Sequence, residues 1–505
     1  MDGNSALNEY EKQRQENIRR NEEVLRQLIP DLVGSRYRRK PKPLKKPKKE
    51  PSTPTRKSLR IRGLKPDGPE AKREVEERNK IKEEELKKFI RIEGDVDLNA
   101  VRSKATSIDD TNHFIEILSD LTKSMLEFNK TVKTVKNEDI DYSSVAGGKE
   151  GFTSIRWACR SLSIGQRWPA VKVSSDRIYS IAVHPSKDKI LVAAGDKTGS
   201  LCFWDVKENV KLENGDIEPR TYMFKPHSKS VLVTKYSPID SNQLFTCSYD
   251  GSIRYFDLNS AKFMEAFVSQ DEDMLTSMDF SPNGNVIYFS TIDGKFGIKD
   301  LREPVKTFEE HLLHDQKIGN VSINPIHPNF LVTCSLDRSM RLWDIRNLKP
   351  RKPNDEVQIQ EICFSNSVTS AFWSPNGDQV VTTCFDNTAR VFDFNNEMKL
   401  KTRVIVPHDN RTGRWVTMFR ATWNPNPNLH PHFIIGNMKR SADVISSVNG
   451  ELIWNLRDEN LTAIPAVNAF HPQINFVASG NGSGKLIAWE EKIRSIPLVV
   501  IENKK

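Results

Sequence analysis

Residues 321–346 read VSINPIHPNFLVTCSLDRSMRLWDIR, and the order of their parts decides the fold. A β-like segment ends in X-Pro at Pro325, and a second apolar run, FLVTCS, follows. Asp337 then opens a turn, and a third run closes in Trp343-Asp344. The same order recurs along the chain. Segments ending in X-Pro stand at Pro185 (IAVHP), Pro238 (TKYSP), Pro282 (MDFSP), Pro325, Pro375 (AFWSP), Pro425 (ATWNP) and Pro472 (NAFHP), spaced by 43–53 residues. In five units an Asp opens the next turn: Asp196, Asp250, Asp293, Asp337 and Asp386. In five the third run closes in Asp, at Asp205, Asp257, Asp300, Asp344 and Asp393. Each unit thus supplies three clear strands and a weaker fourth. One sheet of this size cannot cover both of its apolar faces, whereas seven placed radially pack on one another and leave only short edges. The sequence predicts an all-β fold, a seven-bladed β-propeller.

The dipeptides Trp204-Asp205 and Trp343-Asp344 match the WD-repeat signature of such blades. Closing the ring needs one blade sewn from both termini. Either IPLVVI (496–501) or FTSIRWA (152–158) can supply the last strand, and the sequence leaves both open. Cys247, Cys334 and Cys384 recur at one strand position and read as small core fillers. The recurring Asp residues read as turn closers through side-chain-to-backbone hydrogen bonds, not as a catalytic or metal set. No Ser/His/Asp set, HExxH, Walker loop or dinucleotide fingerprint occurs in a supporting context. The expectation is a protein without catalytic residues, bound metal or cofactor.

The chain has 505 residues, and its net charge of +9 is a property of one segment. Residues 36–65 (RYRRKPKPLKKPKKEPSTPTRKSLRIRGLK) carry 14 Lys/Arg against one acid, Glu50, and five Pro. The other 475 residues hold 62 bases and 66 acids, a net −4. A stretch so poor in large apolar side chains cannot offset its ordering entropy, which predicts a disordered basic arm over 36–69. Around it, 1–35 reads as a charged helical segment and 70–150 as a helical or linker region before a propeller over 151–505. Within 111–135, Phe114, Ile117, Leu118, Leu121, Met125, Phe128 and Val132 form one apolar helix face, whose expected partner is the domain that follows. No apolar run approaches the roughly 20 residues of a membrane span. MDGNSALNEYEKQRQ has no apolar leader core, and the six Cys form no CxxC pair, so a reducing compartment is expected.

A propeller is a scaffold, so departures from the repeat point to function. The sixth unit is the largest. RTGRW (411–415) precedes its first strand, and GNMKRSADVIS stands where other units have the Asp turn. Two readings of these loops stay open. Trp415 packs between blades and the cations are solvated, or Arg411, Arg414, Trp415, Lys439 and Arg440 meet nucleic acid, with cations on phosphates and the indole as wedge or platform. Loops at one point of the repeat emerge at one end of the disk. Lys197, Lys295, Arg338, Lys439 and Arg440 all follow a second strand, and Arg177, Lys229 and Arg411–Trp415 precede a first strand. They are expected to form a cationic ring on one end, suited to a polyanion. The basic arm suits nuclear import, phosphate contact, or both; roughly 6–10 phosphate contacts would give a steep salt dependence.

The order SSDRIYSIAVHP, AAGDKTGSLCFWD, LVTCSLDRSMRLWDIR and RTGRWVTMFRATWNP, with KSLRIRGLKP (57–66), resembles the fungal nuclear WD-repeat family called "changed mutation rate". Those are DNA-damage-binding proteins, akin to the small subunit of the UV-damaged-DNA-binding complex. The resemblance implies DNA contacts for Arg177 and Lys197 and a wedge role for Arg411–Trp415, although RTGRW departs from the wedge of the UV-damage subunit. FLVTCSLDRSMRLWDIR is also similar to the WDxR box of cullin-ligase substrate receptors. That implies an adaptor-docking role for Arg346 with Asp344, and a partial second copy at Asp300 and Arg302. The function expected is a nuclear DNA-binding protein, preferring UV-damaged DNA or binding DNA generally, double- or single-stranded. No base-reading helix or finger is evident, so backbone and deformability would be read. The alternative is a scaffold: a cullin-ligase adaptor or a chromatin and histone hub. No membrane contact is expected.

Overall fold

The computed structural model describes residues 91–132, 149–165, 167–211, 215–270, 273–348 and 358–491, together with Glu16, Arg19 and Arg20. The chain divides into two units, Met1–Lys82 and Glu83–Lys505. In the first, Glu16, Arg19 and Arg20 are helical. The basic arm over 36–69, the helical reading of 70–90 and the closing strand IPLVVI lie outside the described residues.

The second unit is a seven-bladed propeller, as the X-Pro spacing predicts. Its seven sheets each follow chain order, in antiparallel meanders. Innermost strands run Ile178–Val183, Val231–Tyr236, Leu275–Phe280, Ile318–Ile323, Val368–Trp373, Thr422–Trp423 and Pro465–Phe470, in blades 1 to 7. Second strands such as Leu191–Asp196 and Phe330–Ser335 are buried throughout, because they face neighbouring blades on both sides. That explains their unbroken apolar runs, and Cys247, Cys334 and Cys384 are indeed buried fillers there.

Closure comes from the N-terminal side, but not through FTSIRWA. Leu162–Ile164 pairs antiparallel with Lys485–Glu491, Ile164 opposite Trp489, and Val171–Lys172 pairs further along the same strand. FTSIRWA lies inside a helix, α2 (Lys149–Ser161). Its apolar residues recur at helical steps: Phe152 packs beside the buried Ile155 and Cys159 on Ile453, Leu456 and Trp489. The β-like reading took a 3.6-residue period for a two-residue one.

The described part of the apolar face expected over 111–135 finds its partner, while the side chains of Met125, Phe128 and Val132 lie outside the described residues. Helix α1 (Ile108–Val132) opens with a reciprocal cap, Ser107 Oγ accepting from the Asp110 N–H at 3.0 Å while the Asp110 carboxylate accepts from the Ser107 N–H at 3.1 Å. Phe114, Ile117, Leu118 and Leu121 are buried against blades 1 and 2, with the Phe114 ring 4.5 Å from Tyr222 and 4.9 Å from Phe203. Val96–Asp97 adds a fifth strand to blade 2, Val96 opposite Phe263. Arg254, wholly buried, holds that segment: its guanidinium donates to the carbonyls of Gly94 and Ile92 and pairs with Glu265 at 3.1 Å. The packed body therefore includes Arg91–Asp97, ahead of the first repeat.

Candidate nucleic-acid interface

In a four-stranded meander, the turn from second to third strand and the loop between blades emerge at the same end. One backbone bond ties the two together in blade after blade. The N–H that follows the second strand donates to the carbonyl preceding the first: Lys197 to Arg177, Tyr249 to Ser230, Ile292 to Met274, Leu336 to Lys317 and Phe385 to Ser367, each at 3.0 Å. Side chains reinforce it. In blade 4, His314 Nδ1 lies 2.7 Å from Asp337 and its Nε2 2.7 Å from Thr333 Oγ1, which also accepts from Trp343 Nε1 at 2.8 Å. Blade 2 repeats the arrangement with His227, Asp250 and Thr246.

The recurring Asp residues close turns, as their spacing implies. Asp196 accepts from the N–H groups of Thr198 and Ser200, Asp250 from Ser252, Asp337 from Ser339 and Asp386 from Thr388. Blade 3 differs: Thr291 Oγ1, not Asp293, accepts from the Asp293 and Lys295 N–H groups. The ends of the third strands behave alike, Asp205 and Asp257 accepting from Lys207 and Asn259.

All ten cationic and aromatic candidates fall at this one end: Arg177, Lys197, Lys229, Lys295, Arg338, Arg411, Arg414, Trp415, Lys439 and Arg440 follow second strands or precede first ones. Charge is not spread evenly among them, however. Lys295 Nζ sits 2.6 Å from Asp273 and 3.4 Å from Glu310, and these partners raise its pKa. Its charge is spent inside the protein. Asp293 and Asp315 stand exposed in the same sector. With Lys295 paired, the remaining candidates run as an arc from Arg411 and Arg414 through Lys439 and Arg440 to Arg177, Lys197 and Lys229, with Arg338 standing exposed apart from it in blade 4. Along it, Lys197 meets Asp176 only loosely, at 3.7 Å with both side chains over a third exposed.

The RTGRW loop lies on the inner rim of this arc. Arg177 Nη2 donates to the Arg414 carbonyl at 2.9 Å, and Thr417 Oγ1 to the Ile178 carbonyl at 2.7 Å, so the loop spans blade 7 to reach blade 1. A Cβ on Gly482, in the blade 7 turn, would come within 2.9 Å of the Trp415 carbonyl, a gap that suits glycine. Trp415 does not pack between blades: it is 76% exposed, with the Arg414 guanidinium 5.4 Å from its ring centroid.

Two features of this end of the disk were missed. At the turn position with a left-handed backbone, four blades use glycine: Gly199, Gly251, Gly294 and Gly484. Arg338 (φ 70°) and Arg440 (φ 61°) hold that conformation with full side chains, and Asn387 does so in blade 5. A non-glycine residue there costs of order 1 kcal/mol, and such strain gathers at functional positions. The alternation of Gly with Arg at one repeat position was legible once the turns were aligned. Lys317 was the other omission. It precedes a first strand exactly as Arg177 does in blade 1, and its Nζ bonds the Tyr249 hydroxyl at 2.6 Å while lying 5.2 Å from that ring.

The adaptor-box residues sit at the opposite end, where third strands turn into fourth ones. Arg302 bonds Asp300 through Nε at 2.9 Å, and Arg346 bonds Asp344 through Nε at 3.0 Å and Nη2 at 2.7 Å. Their side chains remain 71% and 62% exposed.

The blades and their turns define a WD-repeat propeller, and residues 219–257, 302–344 and 358–393 match the WD domain, G-beta repeat family. Similarity extends well beyond the repeats. The chain is 33% identical to a DNA damage-binding protein CMR1 of Phaeosphaeria nodorum, over 96% of this chain and 99% of that one. It is 32% identical to the protein of that name in Aspergillus oryzae (96% and 100% covered) and 30% to that in Neurospora crassa (96% and 98%). The chain belongs to this fungal family, as the order of its loops and basic motif suggests.

Proposed function

We propose that this propeller binds DNA through the cationic arc, with the RTGRW loop at its centre. The observation that carries the proposal is Trp415, exposed beside Arg414 and fixed on the rim by the Arg177 bond. An indole held in water next to a cation suits a groove wedge or a stacking platform, and the flanking Lys and Arg suit phosphates. Its relatives' name, DNA damage-binding protein, supports binding linked to damage. With no helix or finger among the described residues of the arc to read base edges, the arc would recognise backbone and deformability, which lesions alter. The basic arm would add sequence-independent affinity and suits nuclear import.

The test is a salt titration with intact and UV-irradiated duplexes. Arg411→Glu with Arg414→Glu should weaken binding and flatten the slope of log affinity against log salt by up to about 1.8, two phosphate contacts. An unchanged slope would refute the arc. The same titration on a chain lacking residues 1–70 apportions affinity between arm and disk.

A second reading rests on the opposite end. Asp300-Arg302 and Asp344-Arg346 form the same exposed, self-paired turn in consecutive blades. Docking of a cullin-ligase adaptor there would leave the DNA-binding end free. Arg346→Ala should then abolish adaptor capture and leave DNA affinity intact.

A further inference from the structure

The central channel of the propeller contains a charge that the DNA reading does not use. Five residues before each X-Pro proline stand Ser180, Val233, Ser277, Asn320, Ser370 and Val467 in six blades and Arg420 in blade 6; Ser180, Val233, Ser277, Val467 and Arg420 line this channel. Six of the seven are small. The seventh is an arginine lining a cavity of about 460 Å³ that touches the innermost strand of every blade. Among the described residues no ion pair forms with its guanidinium: Asp279, which lines the same cavity, is paired with Lys235, and the titratable groups that act on Arg420 are Cys334, Tyr249 and Cys247. Burial accordingly disfavours its charge. A guanidinium does not discharge at ordinary pH, so an enclosed one without a counter-ion is a receptor for an anion.

The mouth above it indicates what brings the anion. Met418, exposed, lines the cavity with Arg420, and Met274, Ile292 and Leu336 are exposed on loops at the same end of the disk, where Tyr249 holds Lys317. Asp293 and Asp315 lie outside this apolar rim. A DNA backbone gains nothing from apolar side chains and is repelled by those acids. A polypeptide segment gains from both, provided that it carries one acid among apolar neighbours and cations outward. Met418 and Arg420 are two residues apart and both line the cavity, so an inserted side chain must reach past Met418 to the guanidinium, which suits glutamate better than the shorter aspartate.

We infer that the channel mouth is a docking site for a partner polypeptide that inserts a glutamate, flanked by apolar residues, onto Arg420. Arg420 lies inside the channel and the cations of the arc on the turns around it, so one end of the disk offers its turns to DNA and its channel to a protein segment.

The probe is a fluorescein-labelled peptide, acetyl-Ala-Leu-Glu-Leu-Ala-amide, against its Leu-Gln-Leu counterpart, measured by anisotropy on the full chain. The Glu peptide should bind at least about tenfold tighter than the Gln peptide. Arg420→Ser installs the residue that blades 1, 3 and 5 already use, and should erase the difference while leaving DNA affinity unchanged. Arg420→Lys, which keeps a charge without the fork, should retain part of it. No binding up to millimolar peptide, equal binding of the two peptides, or discrimination that survives Arg420→Ser would each overturn the inference. Loss of DNA affinity in Arg420→Ser, as large as that from Arg411→Glu with Arg414→Glu, would overturn it in favour of a nucleic-acid phosphate.

Discussion

Arg177 and Arg414, 237 residues apart, are joined by one hydrogen bond of 2.9 Å from a guanidinium to a backbone carbonyl. It fixes the long loop of blade 6 to the seam between blades 7 and 1. Because Arg177 also lies 5.7 Å from the Tyr179 ring centroid, its side chain is held from both sides. The bond makes Arg177 a positioning residue as well as a cation of the arc. Arg177→Ala should therefore weaken DNA binding by roughly threefold to tenfold, beyond the effect of one lost phosphate contact, since a hydrogen bond to a charged group contributes about 1 kcal/mol at a partly exposed site. Hydrogen exchange of the 411–416 amides separates the two effects. It should rise in Arg177→Ala and stay constant in Lys197→Ala; equal exchange in both would leave Arg177 as a phosphate contact alone.

Arg338 and Arg440 give a prediction of opposite signs. Each occupies a left-handed turn position where four other blades have glycine. Arg440→Gly should leave stability unchanged or raise it by up to about 1 kcal/mol, because backbone strain is relieved against the greater freedom of the unfolded chain. DNA affinity should fall, and the salt slope should drop by about 0.9. A urea midpoint and a salt titration on one preparation check both. A fall in stability without any change in slope would make Arg440 a structural residue.

The fold was legible because each blade repeats its strand ends, so X-Pro and Asp positions could be counted. The direction of the cationic loops followed from the same count. What the sequence could not show was pairing across space. Lys295 occupies the same repeat position as Lys197, yet Asp273 and Glu310 come to it from a neighbouring loop and a fourth strand, the least regular parts of the unit. FTSIRWA was misread for a related reason: seven residues are too few to separate a helical from a strand period. Arg420 was overlooked although its repeat position is plain, because RTGRW (411–415), which ends five residues before it, drew attention as a loop.

Lys295 supplies the control for the arc. Lys295→Ala should leave DNA affinity and salt slope at their original values, whereas Lys439→Ala should lower the slope by about 0.9. The cost in Lys295→Ala appears instead in stability, at most about 1 kcal/mol, because Asp273 and Glu310 lose a partly exposed partner. A Lys295→Ala slope lowered as far as that of Lys439→Ala would restore a full ring.

Acid should loosen the propeller through its buried histidines. Burial lowers the pKa of His184, helped by the neighbouring His471, to about 4, and burial likewise lowers that of His432 to about 4. His314 is shifted in the same direction. An unfolded histidine binds its proton near pH 6.5. Below that pH the unfolded chain holds more protons than the native one, so stability is full above about 6.5 and declines as pH falls towards 4. Each of His184 and His432 contributes a slope of about 1.4 kcal/mol per pH unit in that window, up to about 3 kcal/mol in all. Asp250 and Asp337, whose carboxyls the facing His227 and His314 hold well below the usual range against the opposing effect of burial, lose their share only at lower pH. His432→Gln should therefore lower the starting stability and flatten the decline between pH 6.5 and 4.5 by about 1.4 kcal/mol per unit, read from urea midpoints across the series. A decline as steep as that of the unaltered protein would mean that His432 is already protonated in the folded blade.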